Sequence, residues 1–176
     1  MFSLHIEFIF SWRRKTDDMK AYAGLLILIL FIFDQYSKYL IRINFDLFQH
    51  KNVFYFLDFV YIPNYGVAFN ILNNESLNLG FVFSLLVFLI CLYLVWLIFI
   101  NQERPNNTQL ISLSLILAGG FGNLFDRVFL GHVVDFIAIT FNPYVFNLAD
   151  VFITIGIVLY LINYLSLIHI SEPTRP

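Results

Sequence analysis

The chain has 176 residues, 60% of them hydrophobic and only 12% charged, with a formal net charge of −2. Soluble domains carry about 25% charged residues, so this composition, with a mean hydropathy of +0.78, excludes an ordinary soluble domain and indicates an integral membrane protein. No basic stripe is present, so nucleic acid is not expected as a partner. The 22 Phe and 10 Tyr residues suit lipid-facing and interfacial surfaces. The single cysteine, Cys91, lies inside an apolar run. It has no partner for an internal disulfide, no Cys/His spacing resembles a zinc site, and it reads as a small hydrophobe.

Residues 1–18, MFSLHIEFIFSWRRKTDD, differ in character from the remainder of the chain. They read either as a short amphipathic arm ending in Arg13, Arg14 and Lys15 or as sequence upstream of a true start at Met19. Ala21–Phe33 is then apolar until DQYSK interrupts it. A spanning helix needs about 20 residues, so the first helix runs on through Asp34 to about Ile41. Asp34 and Lys38 are four apart and can share a helix face. They read as a helix-end ion pair, with Lys38 placed to snorkel to the headgroups.

Asn44–Asn74 is the longest segment outside the membrane. VFYFLDFVYI reads as strand, and Pro63, Asn64 and Gly66 as a turn after it. A small sheet on the membrane surface is expected here. Leu79–Ile100 carries no charge and spans roughly 33 Å as a helix. NQERPNNTQ comes next as a polar loop with Pro105 as a breaker. Leu110–Phe125 forms most of a third span, and Gly119, Gly120 and Gly122 within it allow close helix approach. Asn123, Asp126 and Arg127 come at its end. The fourth span opens at Phe146–Asp150, with Asp150 in its first turn, where the helix dipole favours an anion. Val151–Ile170 is uncharged. The tail from residue 166 onward, containing SEPTRP, resembles translated adapter sequence and is assigned no function. His5, His50, His132 and His169 read as incidental.

Gly119–Asp150 holds three of the twelve acidic residues, Asp126, Asp135 and Asp150. A carboxylate at a helix centre in a bilayer costs roughly 2.5–3.5 kcal/mol on insertion scales, so three in one stretch need a reason. One reading is structural, with acids capping helices and pairing with Arg127. The other is chemical, with two of them sharing a proton as an acid/base pair. With four spans, the basic residues mildly favour cytoplasmic termini. All the membrane-embedded acids then gather at the outer boundary. A transporter or proton channel would spread them through the membrane depth; a non-catalytic scaffold would use them as caps alone.

Five motifs stand in order: DQYSK at 34–38, NYGVAF at 64–69, GGFGNLFDR at 119–127, GHVVDF at 131–136 and FNLADVFITIG at 146–156. Together they resemble the lipoprotein signal peptidase (type II signal peptidase) family of bacterial inner membranes. The likeness covers about residues 19–165, expected to form a single four-helix peptidase domain, and only the two ends depart from it. It implies an all-α membrane protein of four transmembrane helices, with a small extracytoplasmic sheet between helices 1 and 2. It implies an aspartic endopeptidase that removes the signal peptide from diacylglyceryl-modified prolipoproteins, just before the lipidated cysteine. Asp135 and Asp150 become the implied catalytic pair. Asn64, Asn123, Arg127 and Asn147 would contact substrate or hold the pair, though turn or cap chemistry also suits the asparagines. Asp126 stands beside Arg127, which favours its charged form and a structural role. Asp34, Lys38 and the three glycines are read as architectural. The family implies an inner-membrane location, an active site at the periplasmic face, cytoplasmic termini, and prolipoproteins and membrane lipid as partners. A monomer is expected, with no metal and no cofactor.

Overall fold

The computed structural model describes residues 2–66, 79–101 and 105–171, with side chains described over 17–66, 80–101 and 105–166. Val67, Ala68 and Phe69 of the NYGVAF run, Arg104 and Arg175 lie outside the described residues. Among the described residues, four helices are long and apolar enough to cross a membrane. They are α1 (Phe2–Asn44), α2 (Leu79–Val95, continued by a π-helical turn over Trp96–Ile100), α3 (Asn107–Leu130) and α4 (Leu148–Ser171). The stretch of α1 that qualifies is Asp17–Asn44.

The centre of the bundle is α3. Half of its apolar window is buried, against 17–22% in the other three spans. Asn106 caps it, accepting from Gln109 N at 2.9 Å while the Gln109 side chain accepts from Asn106 N at 3.0 Å. Two orphan amides are satisfied reciprocally. At the other end Gly131 takes a left-handed conformation, φ 76°, and returns its N–H to Arg127 O. Glycine meets that requirement without a Cβ penalty. Ala23 and Ile27 of α1 and Cys91, Leu94 and Ile98 of the α2 segment pack against Leu113, Leu117 and Ala118 of α3. Small residues let α3 and α4 approach closely. A Cβ on Gly119 would collide with Ala149 O, and one on Gly120 would lie 2.9 Å from Cys91 Sγ.

The sheet corrects the sequence reading in three ways. VFYFLDFVYI is not one strand. It folds as a hairpin of β1 (His50–Phe54) and β2 (Leu57–Asn64), reversing at Tyr55-Phe56. No Gly, Pro, Asn or Asp marks that reversal, so the sequence signal for a turn is missing. Pro63 and Asn64, expected in a turn, are the last residues of β2, paired with Val134 and Val133. Nor does the sheet belong only to the link between α1 and α2. It has four antiparallel strands in the order β1-β2-β3-β4, and β3 (Val133–Ile139) and β4 (Val145–Phe146) lie between α3 and α4. Val134 and Phe136 of β3 pack on Ile41 of α1, with Leu130 and Leu148 beside them. The sheet therefore sits on the ends of α1, α3 and α4.

Candidate active site

Asp135 lies in the middle of β3, paired across the sheet with Ile62. It is 4% exposed. Asp150 lies in the first turn of α4 and is partly buried. Three asparagines from separate parts of the chain hold the two carboxylates, and Asn147 bonds to both. Asn147 donates from Nδ2 to Asp135 Oδ1 at 2.6 Å, and its backbone N–H donates to Asp150 Oδ2 at 3.2 Å. Asn64 donates from Nδ2 to Asp135 Oδ2 at 2.8 Å. Asn123 donates from Nδ2 to Asp150 Oδ1 at 2.8 Å.

Each amide is held so that its NH2 group faces an acid. The Oδ1 of Asn64 accepts from Gly66 N at 2.8 Å. That of Asn123 accepts from Lys38 Nζ at 3.0 Å and Asn147 Nδ2 at 3.2 Å. That of Asn147 accepts from Asp150 N at 3.0 Å. With Asp150 bonding back to the Asn147 amide, these two residues also form a capping box at the start of α4. Turn and cap chemistry and carboxylate positioning are thus carried by the same side chains.

Burial pushes the Asp135 carboxyl from 3.8 to about 6. The hydrogen bonds from Asn64 and Asn147 and the Lys38 charge work in the other direction, and the nearby Asp150 charge adds to the rise. The group is set apart from an ordinary surface aspartate by desolvation, with a like charge close by.

Behind the pair lies a buried ionic cluster. Lys38 Nζ sits 2.8 Å from Asp34 and 3.1 Å from Asp126, and all three side chains are at most 2% exposed. The snorkelling expected of Lys38 does not occur: a carboxylate on each of two helices holds its ammonium inside. Asp126 is paired with Lys38, not with the adjacent Arg127. Each acid of the cluster also grips backbone. Asp34 Oδ1 accepts from Ala149 N at 2.9 Å, and Asp126 Oδ2 accepts from Val134 N at 3.1 Å. Those two amides immediately precede Asp150 and Asp135 in the chain. One cation and two carboxylates therefore fix the backbone entering both members of the pair. Gly122 makes room for this, since a Cβ there would lie 2.5 Å from Asp34 Oδ2.

Arg127 is near the pair, and its buried Nε has no bonded partner among the described residues. Its guanidinium lies within electrostatic reach of Asp150, Asp135 and Asp126. Two residues escaped the sequence reading. Gln35 donates to Asp126 Oδ1, Asp34 Oδ2 and Gly122 O, each at 3.1 Å. Its place inside DQYSK was the available signal. His132, read as incidental, has a buried Nε2 without a partner among the described residues and a ring 5.4 Å from that of Tyr65.

The sequence profile of the family described as Signal peptidase (SPase) II matches residues 26–166. A lipoprotein signal peptidase of Wigglesworthia glossinidia brevipalpis is 31% identical over 148 residues, covering 82% of this chain and 95% of the relative. One from Streptococcus agalactiae serotype Ia is 36% identical over 146 residues, covering 81% and 91%. In three dimensions the chain is similar to a bacterial membrane enzyme solved by the in meso method at 2.3 Å. The TM-score is 0.75 at 30% identity, with 89% of this chain and 94% of the other covered. A second such structure, at 1.9 Å, gives a TM-score of 0.74 at 33% identity.

Proposed function

The chain belongs to the signal peptidase II family, and on that premise we propose that it is an aspartic endopeptidase acting on diacylglyceryl-modified prolipoproteins. It cuts just before the lipidated cysteine. The observation that carries this reading is the single asparagine, Asn147, bonded to both Asp135 and Asp150. Two carboxylates held this way, one of them raised by burial, favour a pair that shares one proton.

In the proposed reaction the ionised carboxylate takes a proton from water, which attacks the scissile carbonyl. The protonated carboxyl hydrogen-bonds that carbonyl and helps protonate the leaving amine. The pair titrates as a unit, so base and acid are not assigned to single residues. Asn64, Asn123 and Asn147 hold the carboxylates, and Arg127 sets a positive charge within electrostatic reach of both. The Asp34–Lys38–Asp126 cluster and the glycines of α3 serve as the rigid backing of the site.

The sheet and the pair are placed at the periplasmic face of the inner membrane, with both termini cytoplasmic. Substrate arrives by lateral diffusion, carried by its own diacyl chain and apolar signal helix. A relay for ion transport would need acids distributed along a transmembrane path, whereas Asp34, Asp126, Asp135 and Asp150 share one hydrogen-bonded neighbourhood at the helix ends. The test is incubation of the purified protein with a diacylglyceryl-modified prolipoprotein, with the products weighed by mass spectrometry. A product beginning at the lipidated cysteine is expected. Intact substrate after prolonged incubation with folded protein would contradict the reading.

A further inference from the structure

Away from the acids, α1 and α3 leave a groove between them. Its volume is about 520 Å³ and every residue lining it is apolar. Ligand pockets run to roughly 300–1,000 Å³. Gly24, Leu28 and Phe31 of α1 form one wall, and Phe121, Phe125 and Phe129 of α3 the other. The three phenylalanines of α3 stand four apart and share one face, whereas Asn123, two positions from both Phe121 and Phe125, faces elsewhere. The groove is therefore separate from the carboxylate pair. Phe31 meets Phe125 edge-on at 5.5 Å, and Phe125 lies 4.3 Å from Phe129. Gly24 opens the other end, where a Cβ would meet nothing closer than the Phe99 ring at 3.9 Å.

Position and charge say what fills it. The groove lies along the spanning parts of α1 and α3. From Phe121 to Phe129 it follows α3 for roughly 12 Å. At that depth the surrounding medium is acyl chain, not water. Arg42 supplies the charge. It is the basic residue of α1's last turn, it is exposed, and among the described residues no carboxylate pairs with it. It follows Phe31 by eleven positions, roughly three turns, so it shares Phe31's helix face. Ile41 and Leu130 pack in one cluster, which sets the ends of α1 and α3 level. Arg42 thus stands at the Phe129 end of the groove. A guanidinium matches a phosphate, and a bilayer lipid supplies phosphate and acyl chain in one molecule.

We infer that the α1–α3 groove holds one resident glycerophospholipid, its acyl chain against Phe31, Phe121 and Phe125 and its phosphate at Arg42. The lipid braces the two helices that carry Asp34, Lys38 and Asp126. A ligand that binds only the folded chain stabilises it, so this lipid is a structural component of the bundle. The inference goes beyond the peptidase reading and needs no substrate.

The test is native mass spectrometry of the full chain, released from detergent micelles doped with dioleoyl phosphatidylglycerol or, separately, dioleoylglycerol. Wild type is expected to keep one phosphatidylglycerol at collision energies that strip all other lipid, and to keep dioleoylglycerol less well. Leu28→Trp, which fills the groove, and Arg42→Gln, which removes the cation, should each lower retention several-fold. Leu92→Trp, on the exposed side of α2, should not. Gly24→Leu blocks the groove from its other end and replaces Leu28→Trp if that variant does not fold. Added phosphatidylglycerol should also raise the melting temperature of wild type more than that of the blocked variant. Equal retention by the blocked variant and Leu92→Trp would overturn the site. So would a chain dimer that carries no lipid. Retention indifferent to both Arg42→Gln and the phosphate would overturn the headgroup assignment.

Discussion

Asp135 is the member of the pair whose carboxyl burial raises. Its folded-state carboxyl is raised from 3.8 to about 6, so the folded chain holds this proton more tightly than the unfolded chain. The resulting stability is fully present below pH 3.8 and is lost as pH rises through about 6. The change is on the order of 3 kcal/mol. Thermal unfolding in detergent across this window should show the wild type losing stability with rising pH and Asp135→Asn losing much less. Lys38 makes a second prediction at the same scale. Removing it leaves two buried carboxylates facing each other without their cation. Lys38→Met should destabilise by about 3–5 kcal/mol, the cost of breaking a buried pair on one side. A denaturation midpoint equal to wild type would contradict the cluster's structural role. The sequence showed that Asp34 and Lys38 share a helix face, but not that the face points inward. Asp34 and Lys38 continue the buried stripe of Ala23, Ile27 and Ile41. In a helix apolar on most sides, that stripe has no polar contrast to mark it.

At the scale of elements, the contact between α3 and α4 is set by glycine. Gly119→Ala would drive a methyl into Ala149 O and within 2.8 Å of Ile153 Cγ1. Overpacking of this kind costs about 1–3 kcal/mol. It would also shift Ala149, the residue before Asp150, so both melting temperature and activity should fall. The glycines, the four spans and the helix-opening position of Asp150 were legible because spacing and composition encode them directly. The third strand was not. GHVVDFIAI is too apolar to alternate, since Val133, Val134, Asp135 and Phe136 are all buried. With both faces covered, the period of two that identifies a strand disappears. Asp135 therefore carried no strand signal in the sequence, although it is held in a ladder between Asn64's strand and β4. The reversal at Tyr55-Phe56 was hidden because two aromatic residues carry none of the usual turn chemistry.

For the whole molecule, sidedness can be read by chemical labelling of single cysteines. Cys91 is 2% exposed and paired with no other cysteine, so an introduced cysteine can report alone. Thr140→Cys, in the exposed turn that follows β3, should be labelled from outside intact cells by a membrane-impermeant maleimide. Asn107→Cys at the start of α3 should be labelled only after the membrane is opened; the opposite pattern would invert the topology. Five motifs in order made the family visible before any geometry. Their assembly was not visible, because Asn64, Asn123 and Asn147 come from three separated segments and meet only when the sheet docks on the helix ends. The most direct test of the proposed chemistry is cleavage of a diacylglyceryl-modified prolipoprotein by folded wild type beside Asp135→Asn, Asp150→Asn and Asp126→Asn. Wild type should cut, and Asp135→Asn and Asp150→Asn should each be inactive. Asp126→Asn, where it folds, should retain cutting. Cutting by either Asp135→Asn or Asp150→Asn would contradict the assignment of the pair.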